Sequence, residues 1–147
     1  MPVRRRAREV ALQILFEDDV NPRASAAELE SFLHGRLRNR VAEEFARSLI
    51  LGVRRHRDEL DDRISQIATN WSVKRMAGAD RNTLRLAAYE ALHTETPFAV
   101  VVNEAVELAK RFGGPHSGAF VNGVLDRLDP AKQPANADRP TDGAGQP

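Results

Sequence analysis

Apolar residues recur every three or four positions along most of the chain, and no stretch alternates convincingly with a period of two. A spacing of three and four residues predicts amphipathic helices, because residues so spaced share one side of a helix. Residues 3–18 illustrate the pattern. The side predicted to be buried there carries Ala7, Val10, Ala11, Ile14 and Leu15.

Prolines, glycines and capping residues divide this pattern into about seven helices. Pro22 ends the first helix, and Ser25 is a candidate N-cap for the second. Residues 41–67 predict one long helix, or two with a bend near Gly52–His56. We expect Gly52 to allow another backbone to approach closely, because glycine in a helix otherwise costs about 1 kcal/mol relative to alanine.

The later helices complete an all-α, two-lobed bundle. Asp80 is predicted to cap a helix, and Trp71 is predicted to fill the seam between the two lobes. Residues 1–129 are expected to form this single helical domain. Residues 130–147 are rich in Pro, Gly, Asn and Asp, so they predict a disordered tail or spacer.

The composition is that of a soluble globular protein, with 41% hydrophobic and 29% charged residues in 147. The net charge is only +1, so any affinity for nucleic acid must arise from a local patch. The chain has no cysteine, which excludes disulfides and thiol catalysis and fits a reducing cytoplasm. No run is long and apolar enough to predict a membrane span or a signal peptide.

The polar side of the first helix carries Arg5, Arg6, Glu9, Gln13 and Phe16. Residues 1–8 hold four arginines and no acid. Arginines beside an exposed ring can bind phosphates and stack on bases, which favours single-stranded RNA as a ligand. The alternative is a solvated terminus with Phe16 packed against a neighbouring helix.

A second cluster of binding residues lies between the last two helices. Lys110 and Arg111 end one helix, and His116, Phe120 and Asn122 begin the next. Periodicity leaves Phe120 open between a partly exposed position and a core position.

Catalytic and metal-binding motifs do not emerge from the sequence. The four histidines, at positions 34, 56, 93 and 116, have no metal-binding spacing, so a metal site is not expected. His56 falls on an apolar stripe and is predicted to be a core histidine. The glycines at 113–118 lack the lysine and preceding strand of a phosphate-binding loop. We therefore expect no enzyme and no cofactor.

Four segments together resemble the NusB transcription antitermination factor family, and the resemblance runs from Arg4 to about Leu128. They are residues 4–13 (RRRAREVALQ), 80–90 (DRNTLRLAAYE), 103–110 (NEAVELAK) and 120–126 (FVNGVLD). The last two segments are highly specific together.

The resemblance implies a helical, non-catalytic protein that binds boxA RNA together with ribosomal protein NusE. It implies read-through by RNA polymerase in ribosomal RNA operons, as part of an antitermination complex, and either a monomer or a homodimer. The implied RNA-binding residues are Arg4, Arg5, Arg6, Arg8, Gln13, Phe16, Lys110, His116 and Phe120. The implied NusE-facing residues are Asp80, Arg81 and Glu90. The helical pattern itself predicts Arg81, Arg85 and Glu90 on the rim of their helix.

A second hypothesis is a helical interaction module like the NusB-like region of ribosomal RNA cytosine methyltransferases. Those enzymes carry a large cofactor-binding α/β domain, and the present chain ends before such a domain begins. We therefore rank this hypothesis below the antitermination factor.

Overall fold

The computed structural model describes residues 2–129, and every regular element within that range is a helix. The prediction of an all-α bundle with about seven helices is confirmed, by six α-helices and one 3₁₀ turn at Val73–Arg75. The predicted tail at 130–147 lies outside the described residues. The α-helices are α1 (Pro2–Val20), α2 (Ala26–Leu37), α3 (Arg40–Ile67), α4 (Gly78–His93), α5 (Phe98–Phe112) and α6 (Ser117–Leu128).

Local sequence signals explain most of the helix boundaries. Ser25 caps α2 as predicted, in a capping box where its hydroxyl accepts from the backbone of Glu28 and the Glu28 side chain accepts in return. Of the two alternatives for residues 41–67, the structure has the bend, which lies at His56, whose φ of −105° and ψ of 16° are not helical. The capping role predicted for Asp80 is wrong. Helix α4 already begins at Gly78, so Asp80 lies inside its first turn.

Two groups of helices form the lobes and meet along α3 and α4. Helix α3 contacts both α1 and α2, whereas α4, α5 and α6 contact one another. The side of α1 predicted to be apolar is buried throughout, from Ala7 to Leu15. Burial of these side chains holds the helix in place and leaves Arg5, Arg6 and Phe16 of the opposite side exposed, whereas Glu9 of that side is only 7% exposed.

Two expectations about single residues are wrong in instructive ways. Trp71 does not fill a seam, because 57% of its surface is exposed. Gly52 does allow a close approach, but of the Tyr89 ring from α4 rather than of a backbone, since a Cβ at position 52 would collide with that ring. Within residues 2–129, no helix is both long and apolar enough to cross a membrane.

Candidate nucleic-acid interface

The polar side of α1 presents two arginines and a ring to solvent. The side chains of Arg5 and Arg6 are 50% and 46% exposed, and Phe16 is 44% exposed. The apolar side of the helix is fully packed, so this exposure follows from how α1 is anchored. The alternative in which Phe16 packs against a neighbouring helix holds in part, because one edge of the ring contacts Gly78 at the start of α4 while 44% of the residue stays exposed.

Carboxylates from the protein hold these arginines in defined orientations. Arg5 donates from Nε and Nη2 to the two carboxylate oxygens of Glu104 on α5, at 3.1 and 3.0 Å. Arg6 donates to Glu9 at 3.3 Å, and Arg111 donates to the other oxygen of Glu9 at 3.2 Å. The hydrogen bond from Arg5 lowers the pKa of the Glu104 carboxyl, so this contact is a charged pair at neutral pH. The guanidinium groups are therefore oriented before any ligand arrives.

The Phe45 ring of α3 packs against arginines of the first two turns of α1. The guanidinium carbon of Arg4 lies 4.4 Å from the centroid of that ring, and the carbon of Arg8 lies 5.1 Å away. These are cation–π distances. Sequence reasoning placed Phe45 on an apolar stripe, and nothing in the local pattern shows that it also meets arginines.

Arg8 corrects the expectation that all four N-terminal arginines face RNA. It is only 4% exposed and donates from Nε and Nη2 to the two oxygens of Glu90, with the Nε contact at 3.0 Å. Glu90 is itself only 2% exposed, so its predicted place on the rim of α4 is also wrong. A buried charge needs a partner of opposite charge, and these two residues are paired inside the protein.

Phe16 borders an apolar groove of about 740 Å³ between the end of α1, the start of α2 and the end of α5. The ring rests against Gly78, where a Cβ would lie 2.6 Å from it. Gln13 lines the same groove and accepts a hydrogen bond from Arg36 at 2.9 Å. Phe112, which is 37% exposed, lines it as well.

The residues of the second predicted cluster lie near the junction of α5 and α6, where Lys110 packs over Gly118 and Phe120 packs against Trp71. Lys110 and His116 are exposed, and Phe120 is half-buried. The Phe120 ring meets the Trp71 ring edge-on, with centroids 5.9 Å apart and planes inclined at 70°. Trp71 is thus a further exposed ring beside Phe120. Its position in the loop after the end of α3 is the sequence feature that could have indicated its exposure.

Helix α5 separates the two clusters and contacts both. Its residues Glu104 and Arg111 pair with α1, whereas the Lys110 side chain packs over Gly118 of α6. Arg111, which the sequence placed in the second cluster, is 65% exposed and pairs with Glu9 of the first. Helix α5 therefore contributes Arg111 to the first cluster and Lys110 to the second.

Arg81, one of the three predicted partner-binding residues, makes its hydrogen bonds within the protein. It donates to Asp19 of α1 at 3.0 Å and to the backbone carbonyl of Met76 at 2.7 Å. Asp80 differs, because its Oδ1 atom is buried and has no hydrogen-bond partner within the described part of the chain. Of the three predicted partner residues, Asp80 alone retains an unsatisfied acceptor.

Asp19 organises the charged groups at the junction of α1 with α3 and α4. Burial alone would raise the pKa of its carboxyl, but hydrogen bonds from Asn82 and Arg81 and the charge of Arg85 outweigh burial and lower that pKa. Arg85 is only 4% exposed and also pairs with Asp61 at 2.7 Å. The rim position expected for Arg85 is therefore wrong, since it connects three helices inside the fold.

Known proteins resemble the chain over most of its length. A profile described as the NusB family matches residues 5–130. The transcription antitermination protein NusB of Anaeromyxobacter dehalogenans is 45% identical over 133 residues, which cover 90% of this chain and 94% of that protein.

Solved structures extend the likeness to the fold. NusB of T. maritima superposes with a TM-score of 0.75 at 40% identity, covering 85% of this chain and 89% of that one. A chain in the crystal structure of antitermination factors NusB and NusE in complex with dsRNA gives a TM-score of 0.78 at 28% identity. That match covers 89% of this chain and 98% of the other.

Proposed function

The chain belongs to the NusB family, and from this premise we propose that it is an RNA-binding factor of transcription antitermination. Its relatives are named as transcription antitermination proteins. A protein of the same fold occurs in a complex that holds NusE and RNA. The finer proposal is that this chain binds boxA RNA with NusE and promotes read-through by RNA polymerase in ribosomal RNA operons. Such a role belongs in the cytoplasm, where nascent ribosomal RNA is made.

The outward side of α1 is the observation that carries this proposal. It combines two half-exposed arginines with a 44% exposed phenylalanine ring on a helix whose other side is packed. Guanidinium groups bind phosphate through forked hydrogen bonds, and rings stack on unpaired bases. One helix thus offers both parts of a contact with single-stranded RNA.

The ion pairs of this surface define how RNA engages it. Arg5 uses Nε and Nη2 for Glu104, which leaves the hydrogens on Nη1 to donate to a phosphate oxygen. Arg111 adds a mostly exposed charge beside Lys110 on α5. Each phosphate that is neutralised releases bound counterions, so we expect the affinity to fall steeply with salt.

The rings supply the part of the affinity that does not depend on charge. Phe16 on α1 provides one stacking surface, and Phe120 with Trp71 provides a second. Base stacking on an aromatic ring contributes about 1–3 kcal/mol per base. A strand that spans both clusters gains from the linkage, because the second contact becomes intramolecular after the first has formed.

We propose the region around Asp80 as the NusE-facing surface. Asp80 is half-buried and its Oδ1 has no hydrogen-bond partner within the described residues, so a change of its side-chain rotamer would bring this unsatisfied acceptor to a partner's N–H group. Its neighbour Ala79 lines the apolar groove with Phe112, so a partner there would cover the exposed Phe112 ring, whereas Phe16 at the border of the groove stays assigned to RNA. Arg81 supports this surface from inside and is not itself proposed as a contact.

The decisive experiment measures boxA RNA binding by the Arg5→Ala/Arg6→Ala variant at two or more salt concentrations. Loss of two phosphate contacts should weaken binding and reduce the slope of log K against log salt by about 1.4 for a single strand. The variant should fold normally, because both side chains are about half exposed. Unchanged affinity and slope would refute the assignment of α1 as the RNA surface.

Arg55→Ala is a matched control for that variant. Arg55 is an exposed arginine on α3. It follows Arg54, which pairs with Asp18 near the other end of α1, about 20 Å along the helix from Arg5. Because Arg55→Ala removes one positive charge and the double variant removes two, a loss of binding free energy half as large in Arg55→Ala would indicate that only net charge matters.

NusE binding is tested separately with Asp80→Asn in a pull-down. We expect weaker capture of NusE with RNA binding by the isolated protein almost unchanged. Equal loss of both activities would contradict the proposal that the two surfaces are distinct.

A further inference from the structure

Two histidines and one glutamate meet where the bend of α3 faces the end of α4. His56 and Glu59 lie one turn apart on α3, and His93 is the last residue of α4. One ligand atom from each of the three residues lies within 4.8 Å of the other two. The sequence predicted no metal site here because 36 residues lie between His56 and His93. Folding removes that separation.

The distances within this cluster match those between ligands of one metal ion. His56 Nδ1 lies 3.1 Å from Glu59 Oε1, and His93 Nε2 lies 3.2 Å from the same oxygen. Tetrahedral zinc with bonds of about 2.0–2.1 Å places its ligand atoms about 3.3–3.4 Å apart. Both N–O separations are therefore within a few tenths of an ångström of the spacing that one ion requires.

We propose that His56, Glu59 and His93 form a binding site for a divalent transition-metal ion, with Zn²⁺ as the best fit. Two imidazole nitrogens and one carboxylate oxygen are ligands that favour zinc over magnesium or calcium, which prefer oxygen alone. Three protein ligands leave a fourth position for water. The proposal is independent of the RNA-binding function.

The ligand side chains are accessible enough to rearrange around an ion. The exposed fractions of the His56, Glu59 and His93 side chains are 31%, 47% and 27%. The two imidazole rings are stacked, with centroids 4.1 Å apart and planes inclined at 18°. One ring must rotate so that both lone pairs point at the metal, and partial exposure permits that rotation.

Metal binding would fasten the bend of α3 to the end of α4. His56 is the residue at which α3 departs from helical geometry, so a ligand there fixes the bend. The Tyr89 ring stacks at 5.4 Å from His93 and at 5.9 Å from His56, which adds packing beside the ligands. An ion that binds only the folded chain raises its thermal stability.

The test is a titration of the full chain with Zn²⁺, and with Co²⁺ as a spectroscopic probe. We expect one equivalent of Zn²⁺ to bind, the melting temperature to rise, and Co²⁺ to show the intense visible bands of a tetrahedral site. His93→Gln should weaken the affinity by more than about 10–100-fold, the loss typical of disturbing only the residues around metal ligands. Its far-ultraviolet circular dichroism should match the unmodified chain, since His93 is at a helix end.

His34→Gln is the matched control. His34 also contacts a glutamate, with Nδ1 3.2 Å from Glu43, but no second histidine belongs to that pair. This variant should keep full Zn²⁺ affinity and the tetrahedral Co²⁺ spectrum. Absence of stoichiometric binding in the unmodified chain, or equal affinity in the His93→Gln and unmodified proteins, would overturn the proposal.

Discussion

Replacing Glu90 with glutamine tests whether the pair it forms with Arg8 stabilises the fold from inside. The Arg8 and Glu90 side chains are 5% and 2% exposed, and both oxygens of Glu90 accept hydrogen bonds from Arg8. Glutamine keeps the shape of glutamate but removes its charge. The Glu90→Gln variant therefore leaves the guanidinium of Arg8 buried without a counter-charge.

The expected loss is large because the pair is almost completely desolvated. Removing one member of a buried ion pair costs about 3–5 kcal/mol, against a total stability of about 5–15 kcal/mol for a domain. With an m-value of about 2 kcal/mol/M in urea, the unfolding midpoint should fall by about 2 M. Replacing both members, in Arg8→Met/Glu90→Leu, should recover much of this loss, because no uncompensated charge remains.

Equilibrium unfolding in urea, followed by circular dichroism, measures these differences. Glu30→Gln is the matched control, since Glu30 accepts the same forked pair of hydrogen bonds from Arg47 at the surface. Solvent screens that pair, so its loss should leave the midpoint almost unchanged. Equal midpoints for Glu90→Gln and Glu30→Gln would refute the reasoning. RNA binding by Arg8 variants should be measured without denaturant, because only folded protein reports on the binding surface.

Two further predictions concern the junction of α3 and α4. Gly52→Ala should destabilise the protein by about 1–3 kcal/mol, because the added Cβ collides with the Tyr89 ring, and the loss should be smaller in a Tyr89→Ala background. A urea midpoint unaffected by Gly52→Ala would contradict the close approach of that ring. Asp19 has a lowered pKa in the folded state, so its stabilising effect is present above its ordinary value of 3.8 and is lost as the pH falls through the lower folded value. Urea midpoints measured across that acidic range should therefore vary less with pH in Asp19→Asn, and an identical pH dependence in both proteins would contradict the assigned network.

The helices and their buried sides follow from local sequence because they depend on periodicity alone. The periodicity of residues 3–18 predicts that the apolar positions from Ala7 to Leu15 are buried and that Phe16 is exposed, and the structure agrees. The bend of α3 was one of two alternatives that the sequence left open near Gly52–His56, and the structure places it at His56. Such signals involve residues within a turn or two of one another.

Which arginines are free for RNA was decided only by tertiary structure. A helical wheel records the direction of Arg8, but it does not show that Glu90, 82 residues later, arrives at that point. The same holds for Arg85, which the fold places between Asp19 and Asp61. A charged side chain looks alike in sequence whether it meets water or a carboxylate from another helix.

The chain by itself therefore determined the all-α class, the helix boundaries to within a few residues and the outward ring on α1. Only the packing of helices decided that Arg8 and Glu90 are internal, that Trp71 joins Phe120 at the surface, and that His56 lies beside His93. The physical reason is distance along the chain. Periodicity and capping act between neighbours, whereas ion pairs, ring contacts and metal ligands form between residues that meet only after the helices have packed.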